Sequence, residues 1–251
     1  MAFAGEDDEP MSWFPGGTSV SRVSVYDWPT VDGCAGGSPH LHTASTEGYV
    51  VLGGSGRVET LGADGFASHS LTRERILWFT PGTVHRLVNE GGLEILVVMS
   101  NAGLPEAGDA VMTYKPELLA DPAAYAAVTV IPDGPDAEEF VRRRRDHAVE
   151  GYLWWRSRIE SEGPKALAEL HSLAAKLVRG KASGWQNLWR DRPLAEAHRT
   201  GEQLDALAAG VDPEHLSHAS VFTADAHPGP RRYGMCGHLQ TFDVEGAQPA
   251  R

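Results

Sequence analysis

The stretch SPHLHTASTEGYVVLGGSG, residues 38–56, decides how the chain is interpreted. His40 and His42 stand one residue apart, Glu47 follows, and a hydrophobic run leads into a group of glycines. Side chains at positions i and i+2 of a strand point to the same face, so both imidazoles can project together. Glu47 lies at an odd spacing from His42, and a bend in residues 43–46 would reset its direction. The segment predicts ligands for one metal ion; a surface loop leading into a strand is the plainer alternative.

A second cluster lies in TPGTVHRLVN, residues 80–89, where His85 follows a Pro-Gly turn at the start of another strand. Three imidazoles and one carboxylate make a donor set rich in nitrogen and oxygen. Such a set suits Fe, Mn, Ni, Cu or Zn better than Ca or Mg. The sequence therefore predicts one divalent transition metal, with the identity of the metal left open.

The chain is organised as a β part followed by a helical part. From residue 19 to about residue 130, short hydrophobic runs are separated by Gly-rich turns, which is typical of a β-sandwich or barrel. Three amphipathic helical segments follow, at residues 133–163, 164–181 and 193–210. We divide the chain into an acidic disordered tail, a β-barrel, a helical extension and a C-terminal tail that could pack back on the barrel. The boundaries are residues 1–10, 11–132, 133–212 and 213–251.

The ligand clusters resemble the two motifs of the cupins, a family of small jelly rolls. The first motif is His-x-His, four residues, Glu, six residues and Gly, and the second centres on Gly-x-x-His-x-x-x-Asn. The matching positions are His40, His42, Glu47 and Gly54 in the first motif, and Gly82, His85 and Asn89 in the second. The resemblance covers about residues 13–110. Cys34 stands where the first motif begins with glycine, and Thr80 stands where the second has proline, so these departures concern turn geometry.

The resemblance implies a mainly β fold, a cupin double-stranded β-helix (jelly roll) with a C-terminal α-helical extension. It also implies that His40, His42, Glu47 and His85 are the metal ligands. Members of this family include oxygenases, decarboxylases, sugar isomerases and sugar-binding domains. We expect an oxygenase-type oxidoreductase acting on a small oxygenated organic compound, with Glu47 able to serve as a catalytic base if it leaves the metal. A metal-dependent sugar isomerase or epimerase and a non-enzymatic small-molecule-binding protein are the alternatives.

Other side chains are candidates for the substrate pocket. Aromatic residues could line or close the mouth of the barrel, although core packing is the commoner role; they are Trp13, Phe14, Trp78 and Phe79. Tyr49 and Val51 share the face of Glu47 and could look into the barrel. Arg57 and Arg86 could bind a substrate carboxylate.

The charge of the chain indicates which classes of partner are unfavourable. The formal net charge of −12 disfavours nucleic acid and anionic membrane surfaces. The arginines at 142–145 follow Glu138 and Glu139 at helical spacing, which favours a solvated face laced with ion pairs. The N-terminus lacks the pattern of a signal peptide and the two cysteines, Cys34 and Cys236, make no disulfide framework, so we expect a cytoplasmic protein. The helical extension could be a lid over the barrel or the interface of a homodimer. Two of its histidines, His147 and His171, have no ligand-like partners at a useful spacing, and we interpret both as structural or surface residues.

Overall fold

The computed structural model describes residues 14–210 and 213–249, so the predicted disordered tail at 1–10 and Trp13 lie outside the described residues. Antiparallel strands dominate the first half of this part, and the C-terminal tail adds further short strands. In chain order they are β1 (Ser19–Val25), β2 (His40–His42), β3 (Glu47–Gly62), β4 (Gly65–Leu71), β5 (Ile76–Phe79), β6 (Val84–Met99), β7 (Ala110–Met112), β8 (Phe222–Thr223), β9 (Arg232–Tyr233), β10 (Gly237–Thr241) and β11 (Gln248–Pro249).

Two strands of 16 residues, β3 and β6, pair along their whole length and build both sheets of the barrel. The first half of β3 lies between β5 and the second half of β6, which also pairs with β1. The second half of β3 lies between β4 and the first half of β6, which also meets β2. Register shifts at residues 51–56 bend the pair between the two sheets. Gly54 is required there, because its φ is +72° and a Cβ would lie 2.1 Å from the Gly92 carbonyl oxygen.

The interior of the barrel is filled by the inward faces of these strands. β3 alternates buried and partly buried side chains over its first five residues, as a strand with one face on a core must. The inward apolar residues form one cluster, which includes Tyr49, Val51, Val58, Phe79, Leu87, Ile95 and Val97. The mainly β jelly roll predicted from the sequence is therefore confirmed.

The helices follow β7. They are α1 (Pro116–Leu119), α2 (Pro122–Thr129), α3 (Ala137–Glu162), α4 (Pro164–Val178), α5 (Ala182–Trp189), α6 (Ala195–Ala208) and α7 (Glu214–Ser217). The predicted first two long helices correspond to α3 and α4. The third does not begin at Pro193, because Pro193 lies inside a π-helical turn at Arg190–Leu194 that joins α5 to α6. The sequence prediction also missed α1, α2, α5 and α7, which are all eight residues or shorter.

The helical extension packs on the outside of the barrel. Leu41 lies between two inward-pointing histidines, so its own side chain points outward. It belongs to one core cluster with Tyr152 and Trp155 of α3 and Leu170 of α4. The apolar faces of α3 and α4 are therefore buried against the outer face of a sheet, and a lid formed by the helical extension stays a prediction.

The run of four arginines is only half solvated. Arg142 and Arg143 pair with Glu138 and Glu139, at 2.8 and 3.0 Å, as the helical spacing predicts. Arg144 and Arg145 are instead buried. Their guanidinium groups donate to the Gly234 and Trp28 carbonyl oxygens, at 2.7 and 2.9 Å, and so tie α3 to the tail and to the segment after β1. The prediction of a wholly solvated face was wrong because these acceptors lie far away in sequence.

The C-terminal tail joins the sheet through β10, which pairs antiparallel with β1. Cys236 immediately precedes β10 and is buried, and both it and Cys34 are free thiols. Within the described residues, no helix is long and apolar enough to cross a membrane.

Gly151 provides a test of how tightly α3 lies on the barrel. A Cβ at this position would lie 1.9 Å from the Thr113 carbonyl oxygen and 2.8 Å from the Cα of Tyr114. We expect Gly151→Ala to push α3 outward and to lower the free energy of unfolding by about 1–3 kcal/mol, although alanine favours a helix. Denaturant unfolding measures this change. Gly201→Ala in α6 is the matched control, since a Cβ there meets nothing within 4 Å; an equal loss in both variants would contradict the close contact.

Candidate metal centre

The structure brings together the four side chains that the sequence selects. His40 and His42 lie on β2, Glu47 begins β3, and His85 lies near the start of β6. Each offers one ligand atom, and these atoms all lie within 4.8 Å of one another. All four residues are buried. His40 and His85 are direct partners across the antiparallel pair of β2 and β6, which places both imidazoles inside the barrel.

The converging atoms are close. His40 Nε2 and His85 Nε2 lie 3.0 Å apart. Glu47 Oε2 lies 3.0 Å from His85 Nε2 and 3.2 Å from His42 Nε2. The four ligand atoms therefore surround a space that one metal ion could occupy.

The outer nitrogens of the imidazoles fix the direction of their lone pairs. His40 Nδ1 lies 2.9 Å from the Ser38 carbonyl oxygen, and His85 Nδ1 lies 3.1 Å from that of Thr83. A carbonyl oxygen can only accept a hydrogen bond, so each Nδ1 carries a proton, and in the neutral imidazole Nε2 presents its lone pair to the cluster. Two facing lone pairs repel each other, and a cation between them removes that repulsion.

Burial and the neighbouring charges shift the pKa values of His40, His42 and Glu47. Burial lowers the pKa of His40 well below its ordinary value, and the neighbouring imidazoles of His85 and His42 lower it further. Burial alone would raise the pKa of Glu47, but the imidazoles of His85 and His42 outweigh burial and hold it well below its usual range. Burial likewise opposes the charge on His42, yet the carboxylates of Asp109 and Glu47 raise its pKa to about 9. Burial keeps the imidazole of His40 neutral, whereas Asp109 and Glu47 favour the protonated form of His42, so a metal that binds His42 must displace a proton.

The residues present fit a metal ion. Glu47 Oε2 is buried and faces the imidazoles of His42 and His85 at 3.2 and 3.0 Å, but neither contact has the geometry of a hydrogen bond. A buried acceptor left unpaired costs free energy that a bound cation would recover. Three imidazoles and one carboxylate are a donor set for a divalent transition metal. The cluster could therefore hold such a metal.

Aromatic rings form the inner wall behind the ligands. The ring centroid of Phe79 lies 4.1 Å from that of His85, and the ring of Tyr49 meets Phe79 edge to face at 5.4 Å. Phe79 is thus next to the cluster, as the sequence suggested. Trp78 is 65% exposed on the opposite face of β5 and does not line the site. Phe14 lines a separate apolar cavity of about 550 Å³, together with residues of β1, β6 and the C-terminal tail.

The two arginines proposed for a substrate carboxylate are occupied by carboxylates of the chain itself. Arg86 is fully buried, lies 2.5 Å from Asp32 and 3.8 Å from Glu59, and faces the helices. Arg57 lies 3.1 Å from Glu59 and also pairs with Glu90. The structure therefore corrects this assignment: both arginines lie on the outward face of their strands, opposite the metal ligands.

Of two further residues near the cluster, the sequence analysis missed Asp109 and assigned His171 no role in the site. Asp109 is fully buried beside His42, with Oδ2 at 3.4 Å from His42 Nδ1. His171 of α4, read as structural or surface, contacts the Gly82 carbonyl oxygen through Nε2 at 2.8 Å, next to the turn that precedes His85. Neither has a signal in the sequence, because each lies more than 20 residues from the nearest ligand.

No protein-family model matches the sequence, and no curated protein matches it. The chain is similar to the TDP-fucose-3,4-ketoisomerase WlaRA from Campylobacter jejuni at 12% identity, with a TM-score of 0.30, over 36% of this chain and 64% of that one. It is similar to a 3,4-ketoisomerase from Helicobacter canadensis at 18% identity, with a TM-score of 0.29, over 38% of this chain and 65% of that one. It is also similar to the capsular polysaccharide assembling protein CapF from Staphylococcus aureus at 16% identity, with a TM-score of 0.29, over 38% of this chain and 27% of that one. The aligned part spans less than two thirds of each of these three structures.

The strand order of this chain places the first motif across β2 and β3 and the second motif at the start of β6. Asn89 of the second motif binds the Val25 carbonyl oxygen through Nδ2 at 2.9 Å and holds the following turn through Oδ1. Both motifs thus have structural roles, and their histidines converge inside one double-sheet barrel. The chain folds as a double-stranded β-helix, the jelly roll that its motifs imply, and carries a C-terminal helical extension.

Proposed function

We propose that the chain is a metal-dependent enzyme that oxidises a small oxygenated organic compound with dioxygen. Its cofactor is one divalent transition metal, held by His40, His42, Glu47 and His85. The observation that carries this proposal is the convergence of four buried ligand atoms within 4.8 Å. A bound metal of this kind acts as a Lewis acid and as a docking point for oxygen atoms.

The residues of the chain prepare the site in three ways. The carbonyl oxygens of Ser38 and Thr83 hold His40 and His85 with their lone pairs inward. Phe79 and Tyr49 keep water from the inner side of the cluster. Glu47 is the catalytic candidate, since its carboxylate could take a proton from a substrate hydroxyl if it were not bound to the metal.

The size of the substrate is limited by the burial of the site. The side chains of His42 and Glu47 are each 7% exposed, whereas that of His85 is 0% exposed. The small exposed fractions of His42 and Glu47 support access from their side of the site. The apolar cluster that fills the barrel leaves the inner side closed. These features support a compound of a few carbon atoms with adjacent oxygens that can chelate the metal.

The reaction class can be tested with protein reconstituted separately with Fe²⁺, Mn²⁺, Ni²⁺, Cu²⁺ and Zn²⁺. Each form is incubated with a panel of small hydroxy acids, keto acids, diols and sugars, while oxygen consumption and product mass are followed. The proposal expects oxygen uptake with at least one redox-active metal and none with Zn²⁺ or with His85→Ala. A product of unchanged mass without oxygen uptake would favour an isomerase or epimerase. Binding of a compound without any turnover would favour a non-enzymatic binding protein.

We also propose the cytoplasm as the location and a homodimer as the assembly. The two free thiols support the first, since disulfides are rare in that compartment. The homodimer stays a prediction, and light scattering coupled to size-exclusion chromatography tests it.

A further inference from the structure

Asp109 occupies a special place beside the ligand cluster. It directly precedes β7, whose residue Ala110 is the antiparallel partner of His42. Asp109 is fully buried, and a buried carboxylate is costly unless its oxygen atoms are paired. Its partners all come from the segment that begins at His42.

The carboxylate of Asp109 organises the bend between His42 and Glu47. Oδ1 accepts hydrogen bonds from the backbone N–H groups of Thr43 and Ala44, both at 2.8 Å, and from the Thr43 hydroxyl at 2.6 Å. Oδ2 accepts from the backbone N–H of Ser45 at 2.9 Å. Three successive amides thus wrap around one side chain. This is the bend that resets the direction of the chain, so that Glu47 meets the histidines.

The same carboxylate faces the outer nitrogen of His42. Oδ2 lies at an ion-pair distance of 3.4 Å from His42 Nδ1, which has no hydrogen-bond partner among the described residues, while His42 Nε2 faces Glu47. The corresponding nitrogens of His40 and His85 face backbone carbonyl oxygens. His42 is therefore the one histidine of the cluster whose orientation depends on a side chain. A carboxylate behind a ligating imidazole keeps the proton on the outer nitrogen and the lone pair on the inner one.

We propose that Asp109 is the positioning residue of the metal centre, which orients His42 and holds the bend that delivers Glu47 to the cluster. This inference rests on the proposed function, because it requires a metal bound by these ligands. It extends that function by adding a fifth residue, from the segment after β6, on which the ligand geometry depends. A substitution there should change the metal site without removing any ligand.

Asp109→Asn is the informative variant. One amide oxygen can still accept from the bend, but the amide N–H₂ placed against His42 Nδ1 would favour the proton on Nε2, where it blocks ligation. We expect the affinity for Co²⁺, measured by competition with a chelating dye, to fall by about 10–100-fold. The d–d absorption bands of bound Co²⁺ should also change, because His42 no longer occupies its position. Asp109→Ala should show the same loss of affinity and, in addition, a lower unfolding temperature without metal.

Asp32→Asn is the matched control. Asp32 also supports a barrel strand through its carboxylate, which pairs with Arg86 on the face away from the ligands. We expect this variant to lower the unfolding temperature while Co²⁺ affinity and spectrum stay those of the parent. Parental affinity and spectrum in both Asp109 variants, or an equal loss in Asp32→Asn, would overturn the positioning role. Failure of the parent itself to bind Co²⁺ would instead reject the proposed function, and the positioning role with it.

Discussion

His85→Ala is expected to abolish the stabilisation of the protein by metal. A metal that binds only the native state at a concentration 100-fold above its Kd stabilises the fold by about 2.7 kcal/mol. For a chain of this size, that corresponds to a rise in Tm of about 5–10 °C. His85 is fully buried and its Nε2 lies 3.0 Å from both His40 Nε2 and Glu47 Oε2, so its loss opens the cluster at its centre.

The measurement is the Tm with and without metal, compared within each variant. This difference is independent of any cavity that the smaller side chain leaves in the metal-free fold. His147→Ala is the control, since His147 is exposed on α3 and should keep the full metal-induced rise. His40→Ala should behave as His85→Ala does. A rise in either ligand variant equal to that of the parent would show that the ligand assignment is wrong.

Trp155→Ala is expected to be the most destabilising substitution in the helical extension. The indole is fully buried in the cluster shared by the helices and the outer face of the barrel, and its Nε1 donates to the Tyr114 carbonyl oxygen at 2.8 Å. Truncation leaves a large cavity and an unpaired carbonyl, at a cost of about 3–5 kcal/mol. The corresponding fall in Tm is about 10 °C or more.

Trp189→Ala supplies the comparison, because Trp189 is 42% exposed at the end of α5 and should cost much less. Unfolding should be monitored at once by circular dichroism of the helices and by the absorbance of metal bound in the barrel. We expect the two signals of Trp155→Ala to fall together, since one core joins the two parts. Loss of helical signal while the barrel keeps its metal would contradict a shared core and would favour a separable extension.

The spacing of the motifs was sufficient to predict the four converging side chains. A His-x-His pair on a strand and a histidine after a Gly turn each have a local cause, so the sequence contains the information. The bend at residues 43–46 was also expected, but the carboxylate around which it forms belongs to Asp109, more than 60 residues away. Nothing in the local sequence of Asp109 indicates that partner.

Partners that are distant in the sequence also explain why only half of the arginine run, residues 142–145, was predicted correctly. Arg142 and Arg143 find their partners one helical turn earlier, and the sequence predicts both ion pairs. Arg144 and Arg145 are buried, and their acceptors come from the tail and from the segment after β1. Arg86 likewise depends on Asp32, 54 residues away. Local periodicity shows which residues share a face, but the element that covers the face is known only from the fold.

The most direct test of a metal centre in this barrel is elemental mass spectrometry of the purified and reconstituted protein, together with a His42→Ala/His85→Ala double variant. We predict about one transition-metal ion per chain in the parent and almost none in the variant, in keeping with one cluster of four ligands. No metal in the parent after reconstitution, or equal metal in the two proteins, would contradict the assignment of these histidines as ligands.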